Sequence, residues 1–76
     1  MNKIYITKIQ KKYIPNAIRI MATDSTCKYW QNHIRIEELK TQPYAWVLVD
    51  FTEDTELAED FQTYIPKLRK LLRVLK

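Results

Sequence analysis

Tyr44-Ala45-Trp46-Val47-Leu48-Val49 is the longest apolar run of the chain, and Asp50-Phe51 continues it (YAWVLVDF, 44–51). Pro43 precedes it and a polar loop, Thr52 to Asp54, follows it. A short continuous run of β-branched and aromatic residues between turn residues predicts a central strand, covered on one or both faces. Everything else is arranged around that strand.

On its C-terminal side, Glu56 to Leu75 predicts a helix. Leu57, Phe61, Ile65, Leu68, Leu72 and Leu75 recur at three and four residues, and Tyr64 and Leu71 widen the stripe. Asp54 or Thr55 can cap its start. Acidic residues occupy its first turns (Glu56, Glu59, Asp60) and basic ones its last (Arg69, Lys70, Arg73, Lys76), which complements the helix dipole. Pro66 lies inside the stripe and removes one backbone hydrogen bond. The stripe stays in phase across it, so one long helix kinked at Pro66 is expected, with a split into two as the alternative.

On the N-terminal side, Lys3 to Ile9 alternates weakly and predicts a strand. Ala17 to Thr23 also alternates, with Ile18, Ile20 and Ala22 on one face, and is assigned as its hairpin partner. Asp24-Ser25-Thr26 marks a helix start. Cys27 to Lys40 is ambiguous. Cys27, Trp30 and Ile34 recur at helical spacing, whereas His33 to Glu37 could form a short strand. Glu37, Glu38, Leu39 and Lys40 tip the assignment to helix. The expected fold is α/β (α+β), with the order β-β-α-β-α: a sheet of about three strands packed by two helices. No linker interrupts residues 1–76, so one compact domain is expected.

A strand ending in Asp, followed by a loop and an amphipathic helix, resembles in architecture the second half of anti-sigma-factor antagonist domains. Those domains carry a phosphorylatable Ser-Gly pair after that strand. The loop here, Thr52-Glu53-Asp54-Thr55, has neither residue, so family membership does not follow.

Composition narrows the function. The chain is 46% hydrophobic with nine aromatic residues, too rich in core formers for a disordered segment. It contains no glycine, which excludes the P-loop, the dinucleotide fingerprint and the nucleophile elbow. One Cys and one His cannot supply a structural zinc site. A lone cysteine forms no internal disulfide, and Met1-Asn2-Lys3 does not open an apolar signal segment, so a reducing cytoplasm is expected. No apolar run approaches the ~20 residues of a membrane span.

Three charged sets are candidates for binding. Asp50, Glu53, Asp54, Glu56, Glu59 and Asp60 place six carboxylates in eleven residues. A solvated helix start competes there with a basic protein partner or a hard cation. Lys67, Arg69, Lys70 and Arg73 lie among leucines, as a core-facing helix with a basic exterior or as a partner-binding helix. Surplus leucines there could form a homodimer interface. The third set is Lys3, Tyr5, Lys8, Lys11, Lys12, Tyr13 and Arg19. Cations interleaved with rings suit a single-stranded nucleic acid, the cations meeting phosphates and the rings meeting bases. Residues 1–49 hold eight basic side chains against three acidic ones. An ordinary solvated strand face is the competing explanation.

Among single residues, Cys27 is expected to be a small buried side chain, and a Cys27–His33 catalytic pair would need a non-helical segment. Trp46 is assigned to the core. Trp30 is the better candidate for a recognition anchor, with core packing as its competing fate. The expected function is a non-enzymatic regulatory or inhibitory protein-interaction module with opposed acidic and basic patches, without cofactor or metal. Nucleic-acid binding by the N-terminal set is the alternative.

Overall fold

A computed structural model describes residues 3–52 and 55–75. It shows a small α+β domain in which four short helices cover one face of a three-stranded antiparallel sheet. The strands are β1 (Lys3–Gln10), β2 (Ile34–Glu38) and β3 (Tyr44–Asp50), and the helices are α1 (Ile14–Thr23), α2 (Ser25–Trp30), α3 (Thr55–Phe61) and α4 (Ile65–Leu72). Single 3-10 turns follow β1 (Lys11–Tyr13) and α4 (Arg73–Leu75).

The 44–51 run is the middle strand, as its composition requires. The sheet order is β1-β3-β2, and both neighbours pair antiparallel to β3. Strand periodicity sends Ala45, Val47 and Val49 to the helix side, where they are fully buried. Ile4, Ile9, Ile34 and Ile36 join them from the flanking strands. Ile6 sits at an irregularity in the β1 ladder, between the pairs Tyr5↔Leu48 and Thr7↔Val47. That extra residue lets Ile6 enter the core beside Thr7, and both are buried.

The element order differs from the expected β-β-α-β-α. Ala17 to Thr23 is not a strand but the body of α1. Two periodicities coexist in Ile14-Pro15-Asn16-Ala17-Ile18-Arg19-Ile20-Met21. The alternating one is incidental. The helical one buries Ala17 and Met21, four residues apart, with Ile14 and Ile20 partly buried beside them. Pro15 fits the first helical turn, where its missing N–H costs nothing. The ambiguous Cys27–Lys40 segment divides instead of being one helix: Cys27 and Trp30 lie on α2, and Ile34–Glu38 forms the strand β2. Asp24 caps α2, its Oδ1 accepting the N–H groups of Thr26 and Cys27 at 3.0 Å each.

The C-terminal stripe is used as expected, but Pro66 splits the helix instead of kinking it. α3 ends at Phe61 and α4 begins at Ile65, with Pro66 in its first turn. The turn between them keeps the stripe in phase, so Phe61, Tyr64, Leu68, Leu72 and Leu75 are all buried. Four rings form the centre of the core. Trp30 meets Phe51 at 5.7 Å and Phe61 at 5.4 Å, both edge to face, and Phe61 meets Tyr64 at 5.6 Å. Each such pair adds about 0.5–1.5 kcal/mol beyond area burial. Turns are built without glycine throughout: none of the described residues has a positive φ.

Candidate functional site

The helices leave the other sheet face open. Alternation along each strand assigns its residues: Lys3, Tyr5 and Lys8 from β1, Tyr44, Trp46, Leu48 and Asp50 from β3, and Arg35 and Glu37 from β2. None of these belongs to the core cluster under the helices. Leu48 is nevertheless shielded from water, lying between Tyr5 and Arg35, its cross-strand neighbours. It forms the apolar floor of the open face.

Three rings stand on that floor. Tyr5 is 41% exposed and Tyr44 is 37% exposed, while Trp46 is half-buried. Tyr5 meets Trp46 edge to face at 5.4 Å. Lys8, directly opposite Trp46 in the ladder, places its Nζ 5.5 Å from the Trp46 ring centre and 5.7 Å from that of Tyr44. A cation held against two rings is attracted by their π faces and stays at the surface.

A groove of about 610 Å³ runs off this face at the β1 irregularity, bordered by Thr7, Lys8, Tyr44, Trp46 and Arg69. Arg69 reaches it from α4 and donates from Nε to the Ile6 carbonyl at 2.9 Å. One guanidinium nitrogen thereby fastens α4 to the irregular stretch of β1. The Thr7 hydroxyl is buried there, with no hydrogen-bond partner among the described residues. The basic side of the face continues into the 3-10 turn, where Lys12 Nζ lies 5.1 Å from the Tyr13 ring centre.

The N-terminal basic and aromatic set is thus partly assembled. Lys3, Tyr5 and Lys8 share the open face, while Lys11, Lys12 and Tyr13 form the 3-10 turn after β1, with Tyr13 packed against the core under the helices. Arg19 does not join them: it is exposed on α1, in the helix layer, because its segment is a helix and not a hairpin strand. Trp46, Tyr44, Arg35 and Arg69 were absent from the expected set. For Tyr44 and Trp46 the signal was the alternation inside 44–51, where Tyr, Trp, Leu and Asp interleave with Ala, Val, Val and Phe; Arg35 and Arg69 had none of that kind. Trp30 packs in the core and is no exposed anchor, whereas Trp46, assigned to the core, stands on the open face.

The acidic set does not converge. Asp50 Oδ1 accepts the N–H of Thr52 at 3.0 Å and also the Thr52 hydroxyl. The hydroxyl bond is the chief reason its carboxyl lies below the ordinary range. Glu56, Glu59 and Asp60 are exposed on α3, and Glu53 and Asp54 lie outside the described residues. Among the described residues no group of three or more His, Cys, Asp or Glu side chains could hold a metal ion. Of the C-terminal basic set, Lys67, Lys70 and Arg73 are exposed, while Arg69 is bound to β1. The leucines among them, Leu68, Leu72 and Leu75, face the core.

Cys27 and His33 serve separate structures. The Cys27 sulfur lies 2.9 Å from the Tyr64 hydroxyl, which also donates to Asp24 Oδ1 at 3.0 Å. Burial pushes the thiol up, as it does the Tyr64 hydroxyl, so both stay protonated. His33 Nδ1 is 3.1 Å from the Asp50 carbonyl, and its ring packs on Phe51 at 4.7 Å. No helix among the described residues is long and apolar enough to cross a membrane. No protein-family model matches the chain, and no significant match is found among the curated proteins or the solved structures.

Proposed function

We propose that this chain is a non-enzymatic binding module whose open sheet face takes single-stranded nucleic acid. The observation that carries this is the juxtaposition of Tyr5, Tyr44 and Trp46 with Lys8, on a face that the helices leave uncovered. Exposed rings stack bases of any sequence, and cations beside them neutralise phosphates. Lys3, Lys11, Lys12 and Arg69 border the same surface and extend the cationic side. A duplex presents no free base faces, so single strands are the preferred ligand. The buried, protonated Cys27 suits a reducing cytoplasm.

Anisotropy of a labelled homopolymeric oligonucleotide, titrated at several salt concentrations, tests the proposal. Contact with about three or four phosphates gives a log K against log salt slope of roughly −2 to −3. Trp46→Ala is expected to weaken binding by about tenfold or more, since a base–ring stack contributes ~1–3 kcal/mol. Glu59→Ala, far from the face, is the control. Absence of binding at low salt, or equal effects of the two variants, would overturn the proposal.

A protein partner is the second reading. It rests on the exposed charges of the helix layer: Glu56, Glu59 and Asp60 on α3 against Lys67 and Lys70 on α4 and Arg73 directly after it. Charge separation of this kind favours steering and register with a partner. Reversal of the α4 charges would abolish such binding and leave the oligonucleotide titration nearly unchanged.

A further inference from the structure

β2 pairs with β3 on one side and with no described strand on the other. The Asp50 N–H donates to the His33 carbonyl at 2.8 Å, and the Leu39 N–H donates to the Tyr44 carbonyl at 3.0 Å. Hydrogen-bonded pairs alternate along an antiparallel ladder. His33, Arg35, Glu37 and Leu39 therefore turn their backbone groups toward β3, and Ile34, Ile36 and Glu38 turn theirs outward. Among the described residues the outward groups of Ile36 and Glu38 have no partner. The outward groups of Ile34 are held locally instead: its N–H donates to the Gln31 carbonyl at 3.4 Å, and its carbonyl accepts from the Arg35 guanidinium at 3.0 Å, which also donates to the Asn32 carbonyl at 2.7 Å.

Beside this edge, an apolar groove of about 390 Å³ separates α1 from β2, walled by Ile18, Met21, Ala22, Ile34 and Ile36. Ile18, at its rim, is 54% exposed. A free strand edge next to an exposed isoleucine is normally blunted by charge. Here the charges are ordered so that the strand complements its own reverse.

We propose that the β2 edge pairs antiparallel with the β2 edge of a second copy of this chain, about a two-fold axis at Ile36. In that register Ile36 exchanges both backbone bonds with the partner's Ile36. Ile34 stands opposite the partner's Glu38, so every hydrogen-bonded pair joins outward-facing residues. Arg35 stands opposite the partner's Glu37, and the two-fold repeats that ion pair. Centring on Glu38 would set that residue against the partner's Glu38. Arg35 leaves the Ile34 carbonyl, which then accepts the N–H of the partner's Glu38, and the Ile34 N–H exchanges its long bond to Gln31 for the carbonyl of the partner's Glu38. On the helix side the two apolar grooves meet across the paired Ile36 side chains. The interface is isologous, as a two-fold dimer requires. It does not use α4, whose Leu68 and Leu72 are buried within the protomer and whose Leu71 is partly buried against the same core.

Sedimentation equilibrium on the full chain tests this. At up to ~100 µM the expected mass is twice the 9.2 kDa of the chain. Arg35→Glu and Glu37→Arg each set like charges opposite one another twice, and each should weaken dimerisation by at least about tenfold. The double variant Arg35→Glu/Glu37→Arg restores opposite charges and should recover the wild-type constant to within about threefold. All three substitutions are at exposed positions, and circular dichroism verifies that each variant is folded. A 9.2 kDa wild type over that concentration range overturns the proposal. So does a single variant that dimerises like the wild type, or a folded double variant that stays monomeric.

Discussion

Truncating each tryptophan in turn separates the two faces of the sheet energetically. Trp30 is 7% exposed and touches Phe51 and Phe61 in the ring cluster, so Trp30→Ala opens a cavity that the packed core cannot close. Such a truncation costs about 3–5 kcal/mol. A domain of this length holds only about 4–11 kcal/mol in total. Trp30→Ala should therefore remove about a quarter or more of the stability and can abolish the cooperative transition. Trp46 is half-buried on the open face. Its losses are one edge-to-face pair with Tyr5, about 0.5–1.5 kcal/mol, and the Lys8 cation contact, about 0.5–1 kcal/mol. Trp46→Ala should then cost about 1–2 kcal/mol, or roughly 5–15 °C in melting temperature. Urea titration followed by far-ultraviolet circular dichroism measures both. Trp30→Phe keeps a ring in the core and leaves Trp46 as the single indole. Its fluorescence should be redder in the folded state than that of Trp46→Ala, which retains the buried Trp30. Equal destabilisation by the two alanine variants would refute the reasoning, because the open face would then be core.

Three further predictions concern the polar side chains of Asp24 and Thr7. Bonds from Cys27, Tyr64 and Thr26 hold the Asp24 carboxyl below its ordinary value, the Cys27 N–H contributing most. A depressed carboxylate contributes stability above its unfolded pKa of ~3.9, and that contribution is lost as pH falls through the folded value. Asp24→Asn keeps a helix cap but no charge, so its stability should fall less steeply than the wild type below about pH 4. Identical acid limbs would contradict this. Asp24→Ala at neutral pH should cost about 1–2 kcal/mol, from the cap and the Tyr64 bond together. Thr7→Val replaces the unpartnered buried hydroxyl with a methyl of the same shape and should stabilise the domain by about 1 kcal/mol. A less stable variant would mean that the hydroxyl is hydrogen-bonded.

The sequence revealed the central strand, the C-terminal stripe and the α+β class because each rests on one strong periodicity. It misled where two periodicities overlap. Ile18, Ile20 and Ala22 alternate as in a strand, while Ile14, Ala17 and Met21 recur as in a helix. Only the need to cover the sheet's inner face, together with Pro15 at a helix start, decides between them. The same ambiguity displaced the site. Arg19 was grouped with the N-terminal cations through a strand that does not exist. Trp46 was assigned to the core because a continuously apolar strand does not show which of its faces is covered. The β1 irregularity has no local signature, since it arises where Ile6 and Thr7 both turn inward. Arg69 therefore could not be placed beside Lys8 from sequence spacing.

The two proposals share a geometry although they rest on different residues. The two-fold axis of an antiparallel strand pair is perpendicular to the sheet, so pairing at β2 sets both open faces on the same side. Strands in such a sheet are about 4.8 Å apart. The two β3 strands then lie three spacings apart, about 14 Å, with β2 and its copy between them. Tyr44 and Trp46 stand on β3 beside the Leu48 floor and Tyr5 stands one strand further from the dimer seam, while Arg35 and Glu37 line the seam. A strand long enough to cross it would meet a second set of rings at the high effective concentration that linkage provides. Arg35 would connect the two proposed functions physically. In one protomer it caps the Ile34 carbonyl, and in the dimer that cap becomes the ion pair that joins the two open faces.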